Sequence, residues 1–450
     1  MEKLRLAVIG AGPAGIYAAD LIHKAERDFD VAIDLFDLLP TPYGLVRYGV
    51  APDHPRIKGI VRALFEVLDR GHIRFFGNVR YGQDLTLDDL KAHYHAVIFA
   101  TGAIRDAELD IPGSELEGSF GAADFVNWYD AHPDVSRSWP LNAREIAVIG
   151  NGNVALDVAR ILVKSPEELL ATEIPAHVYE GLRSSPVTDV HVFGRRGPAQ
   201  MKFSPLELRE ALHVNGVQSL VYEEDMRFDE NSQAQIESNN QTRVMVKTVT
   251  ELLENPQPPA ARRLHLHFFS APEAIIGQDG KVSAIQIRRT EYAGGGQVKP
   301  TGELREIPVQ AVYRAVGYFG SPLPDIPFDE YSGTIPNLEG RVVDSSGQAL
   351  PGIYATGWIK RGPVGLIGHT KADAIETIGH LLSDRASWWQ PGRPDERQVE
   401  ETLQLRGVKF VDWKSWLKID AAELASGARM GRERIKLFDR QEMLDIGSGT

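Results

Sequence analysis

The sequence predicts an α/β protein with two Rossmann-like domains, one inserted into a discontinuous other. Three observations predict it. First, short apolar runs rich in β-branched residues ("LRLAVIG", "HAVIFATGA", "REIAVIG", "DVHVFGRR", "QAVYRAVGY", "PGIYATGW") close on Gly or a charge. They alternate with helical patterns such as "PAGIYAADLIHKA", "GIVRALFEVLDRG" and "NVALDVARILVK", as in parallel sheets covered on both faces. Second, two of the strand–turn–helix starts carry a glycine-rich turn, at Gly10 and at Gly150. Third, "Ala-Thr-Gly" occurs at Ala100 and again at Ala355, as expected of two strands that cross beside one bound group. The resulting boundaries are 1–103 with 319–450 for the discontinuous domain and 104–318 for the inserted one.

Composition narrows the function classes. A chain of 450 residues exceeds one ordinary core. Its 43% apolar and 25% charged content is that of a globular protein. A net charge of −13 argues against nucleic-acid binding, which needs clustered Lys and Arg. No segment approaches the ~20 apolar residues of a membrane-spanning helix. The N-terminus "MEKLRLAVIGAG" runs straight into a strand, so a cytoplasmic protein without a leader is expected. There is no cysteine, which excludes thiol–disulfide chemistry and cysteine-ligated iron–sulfur clusters within the chain. No residue is assigned to a metal.

Elsewhere the pattern is less regular. Between Asp229 and Ala261 the chain is polar and then Pro-rich, and reads as surface loop and an exposed helix. A β-ribbon is expected through "LHLHFFSAPEAI" and "VSAIQIRRTEYAGGGQ". After Leu381 there is no strand signal, and "VDWKSWLKIDAAELASG" reads as a helix packing over a neighbouring domain.

The two glycine turns lead into different second halves. In Gly10-Ala11-Gly12-Pro13-Ala14-Gly15 the first glycine permits the tight turn and the second lets backbone approach a pyrophosphate. The third allows helix and strand to pack closely, and the helix N-terminus adds a positive dipole end. A ligand-free strand–helix turn can share this pattern, but "VAIDLFD" ends at Asp37, where an acid would hold ribose hydroxyls. That suits an unphosphorylated ribose, as in FAD or NAD. The second turn, Gly150-Asn151-Gly152-Asn153-Val154-Ala155, precedes a strand from Val190 ending in Arg195 and Arg196. A guanidinium pair suits a 2′-phosphate, which the planar fork binds bidentately; a solvated basic loop is the alternative. The reading is one unphosphorylated and one phosphorylated dinucleotide, the latter NADP.

Several long motifs stand in one order: "GAGPAG", "PYGLVRYGVAPDHP", "GNGNVALDVAR", "GRRGPAQMKFSPLELRE" and "GWIKRGPVGLIG". Together they resemble the adrenodoxin-reductase family of FAD-containing NADPH–ferredoxin reductases, over nearly the whole chain. The resemblance implies that the Pro42–Pro55 loop lies along FAD, with Leu45 against the cofactor and His54 near the redox centre, paired with Glu210. It implies FAD contacts at Ala14, Asp37, Leu45, Tyr81, Trp358, Gly365, Leu366 and Ile367, and a helix starting near Gly365 that aims N–H groups at the flavin. It implies NADP contacts at Asn151 to Val154, Arg195, Arg196, Glu207 and Gly365. Asp37 stands where a longer Glu is usual, and Tyr81 where a small apolar residue is usual.

The implied reaction moves a hydride from NADPH onto FAD and passes electrons singly to a ferredoxin, which in turn supplies a downstream oxygenase. Cysteine-dependent disulfide reductases with this architecture are excluded by composition, and a non-catalytic NADP sensor remains the alternative of a different class. An acidic chain must attract an acidic ferredoxin through a local basic face. Lys24 and Arg209 match docking positions of the family, and Arg243 with Lys247, one helical turn apart, are further candidates.

Overall fold

The computed structural model describes residues 3–365 and 367–449. The chain divides into two compact units, Met1–Arg105 with Asp130–Asp134 and Tyr318–Thr450, and Asp106–Tyr129 with Val135–Gly317. The first unit thus takes back a short excursion, Asp130–Asp134, that the sequence pattern leaves in the inserted domain.

The first unit is built on a seven-stranded sheet. Its order is Asn337–Leu338, Arg341–Val343, Ala349–Ala355, Ala96–Phe99, Lys3–Ile9, Asp30–Phe36 and Ile73–Phe76. The last five run parallel and the two edge strands antiparallel. Because successive side chains alternate across a strand, Lys3–Ile9 feeds both faces. Leu4, Leu6 and Val8 enter one core, and Ala7 and Ile9 enter another. The first core is covered by the helices Pro13–Lys24 and Ile367–Ser383, through Ala18, Ile22, Ala374 and Ile378. The second is covered by Leu87–His93 and Glu396–Leu405, through Leu90, Val399 and Leu403.

The tail helix Trp413–Arg429 starts where the Asp412 side chain accepts from the Ser415 N–H at 2.7 Å. The sequence suggests packing over a neighbouring domain; the contacts seen are with the helix's own unit. Trp416 and Ile419 belong to the first unit's own core, and removing such an indole costs about 3–5 kcal/mol.

The second unit carries a six-stranded, wholly parallel sheet. Its order is Ser119–Gly121, Ala311–Arg314, Glu145–Ile149, Asp189–Phe193, Arg262–His267 and Val217–Leu220. The "LHLH" run is therefore a parallel strand, not half of the expected ribbon. Its period-two pattern fits either kind of strand, and the sequence does not say that its histidines find buried partners. The ribbon is three-stranded, Ser270–Gln278, Lys281–Gly294 and Gln297–Pro308. The polar stretch after Asp229 is a helix, Glu230–Ser238, capped by Asp229, which accepts from the Ser232 N–H at 2.8 Å. Tertiary contact overrides its composition: Gln200 donates to Ser232 Oγ at 3.1 Å and to Gln235 Oε1 at 3.2 Å. Among the described residues no helix is long and apolar enough to cross a membrane.

Candidate functional site

The first turn closes the central strand Lys3–Ile9. Gly10 has φ +111°, and a Cβ there would lie 2.4 Å from the Ala100 carbonyl oxygen; one on Gly15 would lie 1.9 Å from that of Gly10. Packing demands both glycines. Gly12 differs. Its φ of −75° suits any residue, and a Cβ would meet only the Gly44 Cα, at 3.9 Å. The protein leaves that space open, which is what close backbone approach of a pyrophosphate requires. The helix Pro13–Lys24 begins at Gly12 with no side-chain cap, so its first N–H groups face the same opening.

Asp37 closes the turn. Its carboxylate accepts from the Ala11 N–H at 2.7 Å and the Leu39 N–H at 2.9 Å. Burial pushes its pKa up to about 6 against the pull of these donors and of Arg440. A carboxylate has about four acceptor sites, so capacity remains for ribose hydroxyls.

The Pro42–Pro55 loop is seated on this turn. The Tyr43 N–H donates to the Ala11 carbonyl at 2.8 Å, and a Cβ on Gly44 would lie 3.1 Å from the Gly12 Cα. Tyr43 has φ +84°, a conformation that costs a bulky residue about 1–3 kcal/mol and persists only where surroundings hold it. Leu45, half-buried, opens the short helix Leu45–Tyr48. His54 is 4% exposed. It stands at the N-cap of Pro55–Lys58, yet its imidazole makes no capping hydrogen bond; its carbonyl accepts from the Ile57 and Lys58 N–H groups.

The late segment returns to this turn. A Cβ on Gly357 (φ +74°) would lie 2.6 Å from that of Ala14, and half-buried Trp358 opens the next helical turn. Gly365 is exposed with φ +85°. Leu366 lies outside the described residues, as does the side chain of Ile367, whose backbone begins Ile367–Ser383. Tyr81 is placed otherwise. Its ring is in the second core, edge-on to Phe99, and its hydroxyl donates to the Pro324 carbonyl at 2.8 Å. That side chain is committed to the core.

Two side chains escaped the sequence reading although their motif was noticed. Thr101 and Thr356, from the two "Ala-Thr-Gly" runs, have buried hydroxyls without a partner among the described residues. They stand just beyond the adjacent parallel strands Ala96–Phe99 and Ala349–Ala355, at the carboxyl ends where open α/β sheets bind ligands. A buried hydroxyl left unsatisfied costs about 1–3 kcal/mol. A bound cofactor with polar atoms there would remove that cost, so the residues present fit a dinucleotide.

The second turn repeats the logic. Gly150 is demanded by packing, a Cβ lying 2.3 Å from the Ala315 carbonyl oxygen, whereas one on Gly152 would meet nothing within 4 Å. The helix Asn153–Val163 again starts without a side-chain cap. Asn151 donates to the Gln200 carbonyl at 3.3 Å, and Asn153 Oδ1 accepts from the Ser204 N–H at 2.8 Å, which ties this turn to the helix Pro205–Leu212. Val154 is half-buried on the first helical turn. The next strand ends at Phe193 rather than at the arginines. Arg195 is exposed and Arg196 half-buried; among the described residues neither guanidinium has a hydrogen-bond or ion-pair partner.

On Pro205–Leu212, Glu207 is buried in the first turn, and its N–H donates to Ser204 Oγ at 3.2 Å. Arg209 and Glu210 are exposed. Glu210 belongs to the second unit and His54 to the first. Of the docking candidates, Lys24 pairs with Asp20 at 2.7 Å and Lys247 with Glu251 at 3.5 Å, both within a helix. Arg243 donates to Asn240 Oδ1 at 2.7 Å. The Arg209 guanidinium has no protein partner among the described residues.

His191, His265 and His267 bring ring nitrogens within 4.8 Å of one another, a cluster the sequence reading missed. Their rings are near-parallel, 6–24° apart, so their in-plane lone pairs do not converge on one point. His191 Nδ1 and His267 Nε2 share a 3.0 Å hydrogen bond, and His265 bonds Asp189 and Tyr222, each at 2.8 Å. Burial, with the neighbouring imidazoles, holds His191 down at about 3 and His267 at about 2.

Two parallel-sheet units, each with a glycine turn open where a phosphate would sit, define a two-dinucleotide oxidoreductase. Comparison with known proteins agrees. Residues 4–251 match the family model described as pyridine nucleotide-disulphide oxidoreductase. The NADPH-ferredoxin reductase FprA of Mycobacterium tuberculosis is 42% identical, with all of both chains covered. Its structure in complex with NADPH superposes with a TM-score of 0.92 at 41% identity, again over both whole chains. The mitochondrial NADPH:adrenodoxin oxidoreductase of Arabidopsis thaliana is 37% identical over 98% of this chain and 95% of its own. The chain belongs to the pyridine nucleotide-disulphide oxidoreductase family and, within it, to the adrenodoxin-reductase-type NADPH–ferredoxin reductases.

Proposed function

We propose that the chain is an FAD-dependent NADPH–ferredoxin oxidoreductase, with FAD on the first unit and NADP(H) on the second. One observation carries the reading: a single chain without cysteine joins an acid-closed glycine turn to a second turn followed by two guanidiniums that have no partner among the described residues. Relatives 37–42% identical over nearly the whole chain are named for NADPH and for ferredoxin or adrenodoxin.

When bound, FAD would supply the two-electron to one-electron chemistry between NADPH and a ferredoxin. The chain's part is to bind, orient and exclude water. Backbone at Gly12, Ala14 and Gly15 faces the FAD pyrophosphate, and Asp37 accepts from the ribose. Thr101 and Thr356 offer hydroxyls, while Leu45 and Trp358 cover the flavin. Just after Gly365 the N-terminus of the helix Ile367–Ser383 favours negative charge on the ring. Asn151 to Val154 hold the NADP pyrophosphate, and Arg195 and Arg196 the 2′-phosphate. Glu207 and Gly365 are the further NADP contacts that the family resemblance implies. His54, near the redox centre by the family resemblance, orients the reacting groups; no proton transfer is required of it. Arg209 serves the acidic ferredoxin.

The test is anaerobic. The purified protein should carry FAD; NADPH should bleach its visible absorption, and a purified ferredoxin should restore it. A colourless protein that cannot be reconstituted with FAD overturns the reading.

A further inference from the structure

The tail of the first unit holds a buried ionic cluster against the loop that seats on the first glycine turn. Glu423, on the tail helix, has 0% exposure. Both of its oxygens accept from the Arg47 guanidinium, one at 3.1 Å. It also accepts from Arg434 Nη1 at 2.7 Å and from the Leu437 N–H at 2.9 Å. Arg47 lies in the middle of the loop, its guanidinium 5.1 Å from the Tyr48 ring and 5.3 Å from that of Trp416. From the other side Lys436, also buried, donates to the Arg47 carbonyl at 2.6 Å, the Asp130 carbonyl at 2.9 Å and Asp130 Oδ1 at 3.0 Å. Residues Arg434–Lys436 reach this position because the chain folds back on the tail helix at Gly427, where a Cβ would lie 2.5 Å from the Arg434 nitrogen.

We propose that Glu423 is a positioning residue for the flavin: through Arg47 it clamps Tyr43–Tyr48 in the strained conformation that lies on the Gly10–Gly15 turn. The proposal rests on the reading of that turn as the FAD site. Stability alone does not account for the cluster, since a well-packed apolar replacement of a buried ion pair is often neutral or stabilising. What the charges add is direction. A bidentate guanidinium–carboxylate pair fixes both distance and angle, and Tyr43, at φ +84° with its ring edge-on to Trp416 at 5.9 Å, needs such a restraint. The tail acts on the flavin through this segment and need not touch it.

The experiment compares wild type, Glu423→Gln and Arg47→Met, the second leaving Glu423 bonded to Arg434 and Leu437. FAD affinity is read by fluorescence titration of apoprotein. Amide hydrogen exchange of residues 43–48 and the thermal midpoint are read on the same apoprotein. The clamp predicts at least tenfold weaker FAD binding and at least tenfold faster exchange in that segment, in one or both variants, with the midpoint little changed in Arg47→Met. Wild-type affinity with unchanged exchange overturns it. So does a uniform rise in exchange across the unit, which marks general destabilisation. If wild type itself binds no FAD, the reading of the turn has failed instead, which the titration shows before any variant is made.

Discussion

Replacing Arg195 and Arg196 together with Ala should convert an NADPH-selective protein into one nearly indifferent between NADPH and NADH. Neither guanidinium has a protein partner among the described residues, so their removal takes nothing from the apoprotein. The turn's backbone is held independently, by Thr290 Oγ1 donating to the Arg195 carbonyl at 2.7 Å and the Phe269 N–H donating to that of Arg196 at 3.2 Å. Stability should therefore stay within the roughly ±0.5 kcal/mol usual for surface substitutions. A hydrogen bond to a charged group contributes about 1.5–3 kcal/mol, and the exposed Arg195 belongs at the lower end because salt and water screen it. Together they are worth about 3 kcal/mol, or about a hundred-fold in kcat/KM. The assay is steady-state ferricyanide reduction with each coenzyme, repeated at high salt, where wild-type preference for NADPH should shrink. NADH, without the 2′-phosphate, should change by less than about two-fold on this account. If both coenzymes lose efficiency equally, the arginines hold the fold rather than the phosphate.

Gly12→Ala should leave the thermal midpoint of apoprotein nearly unchanged yet weaken FAD binding severely, because its Cβ enters open space; Gly15→Ala, whose Cβ meets the Gly10 carbonyl at 1.9 Å, should lower the midpoint itself. Equal effects on stability would refute the distinction. Because His191 and His267 are held neutral down to about 3 and 2, the unfolded chain binds protons below about pH 6.5 that the folded one refuses. Their share of stability is full above that pH and is lost as pH falls toward 3, by up to about 2.7 kcal/mol per pH unit for the pair. Replacing both with Gln should flatten the acid slope of the midpoint, and an unchanged slope would show that other groups set it. Arg209→Glu should slow ferredoxin reduction at low salt and spare ferricyanide reduction, since a like charge opposes encounter with an acidic partner; equal impairment of both acceptors would place Arg209 at a cofactor site.

Both glycine turns were legible in the sequence because the strand–glycine turn–helix pattern is itself local, although the carbonyls that force Gly10 and Gly150 come from strands distant in sequence, and nothing in the protein needs a glycine at Gly12 or Gly152. Asp37 was legible for the same reason, ending a strand whose neighbour carries the turn. The features that stayed hidden depend on distant partners. The hydroxyls of Thr101 and Thr356 acquire meaning only when two strands far apart in sequence lie side by side. Glu423 reads as an ordinary charge on a tail helix until Arg47, hundreds of residues upstream, is found against it. The histidines of "LHLH" looked compatible with a half-solvated ribbon, because alternation cannot reveal that Asp189 and Tyr222 wait on the buried face. The core packing of the Tyr81 side chain was likewise not legible, since its partners Phe99 and Pro324 are distant in sequence.

The central claim is that one chain takes electrons in pairs from NADPH and delivers them singly to an iron–sulfur protein. The most direct measurement is the stoichiometry of the complete reaction under anaerobic conditions: purified protein in catalytic amount, limiting NADPH, and excess purified ferredoxin monitored by its own absorption. The account predicts two ferredoxins reduced for each NADPH consumed, with no reduction when the protein is omitted. NADPH that bleaches the flavin while every ferredoxin offered stays oxidised, even though ferricyanide is reduced, would contradict it.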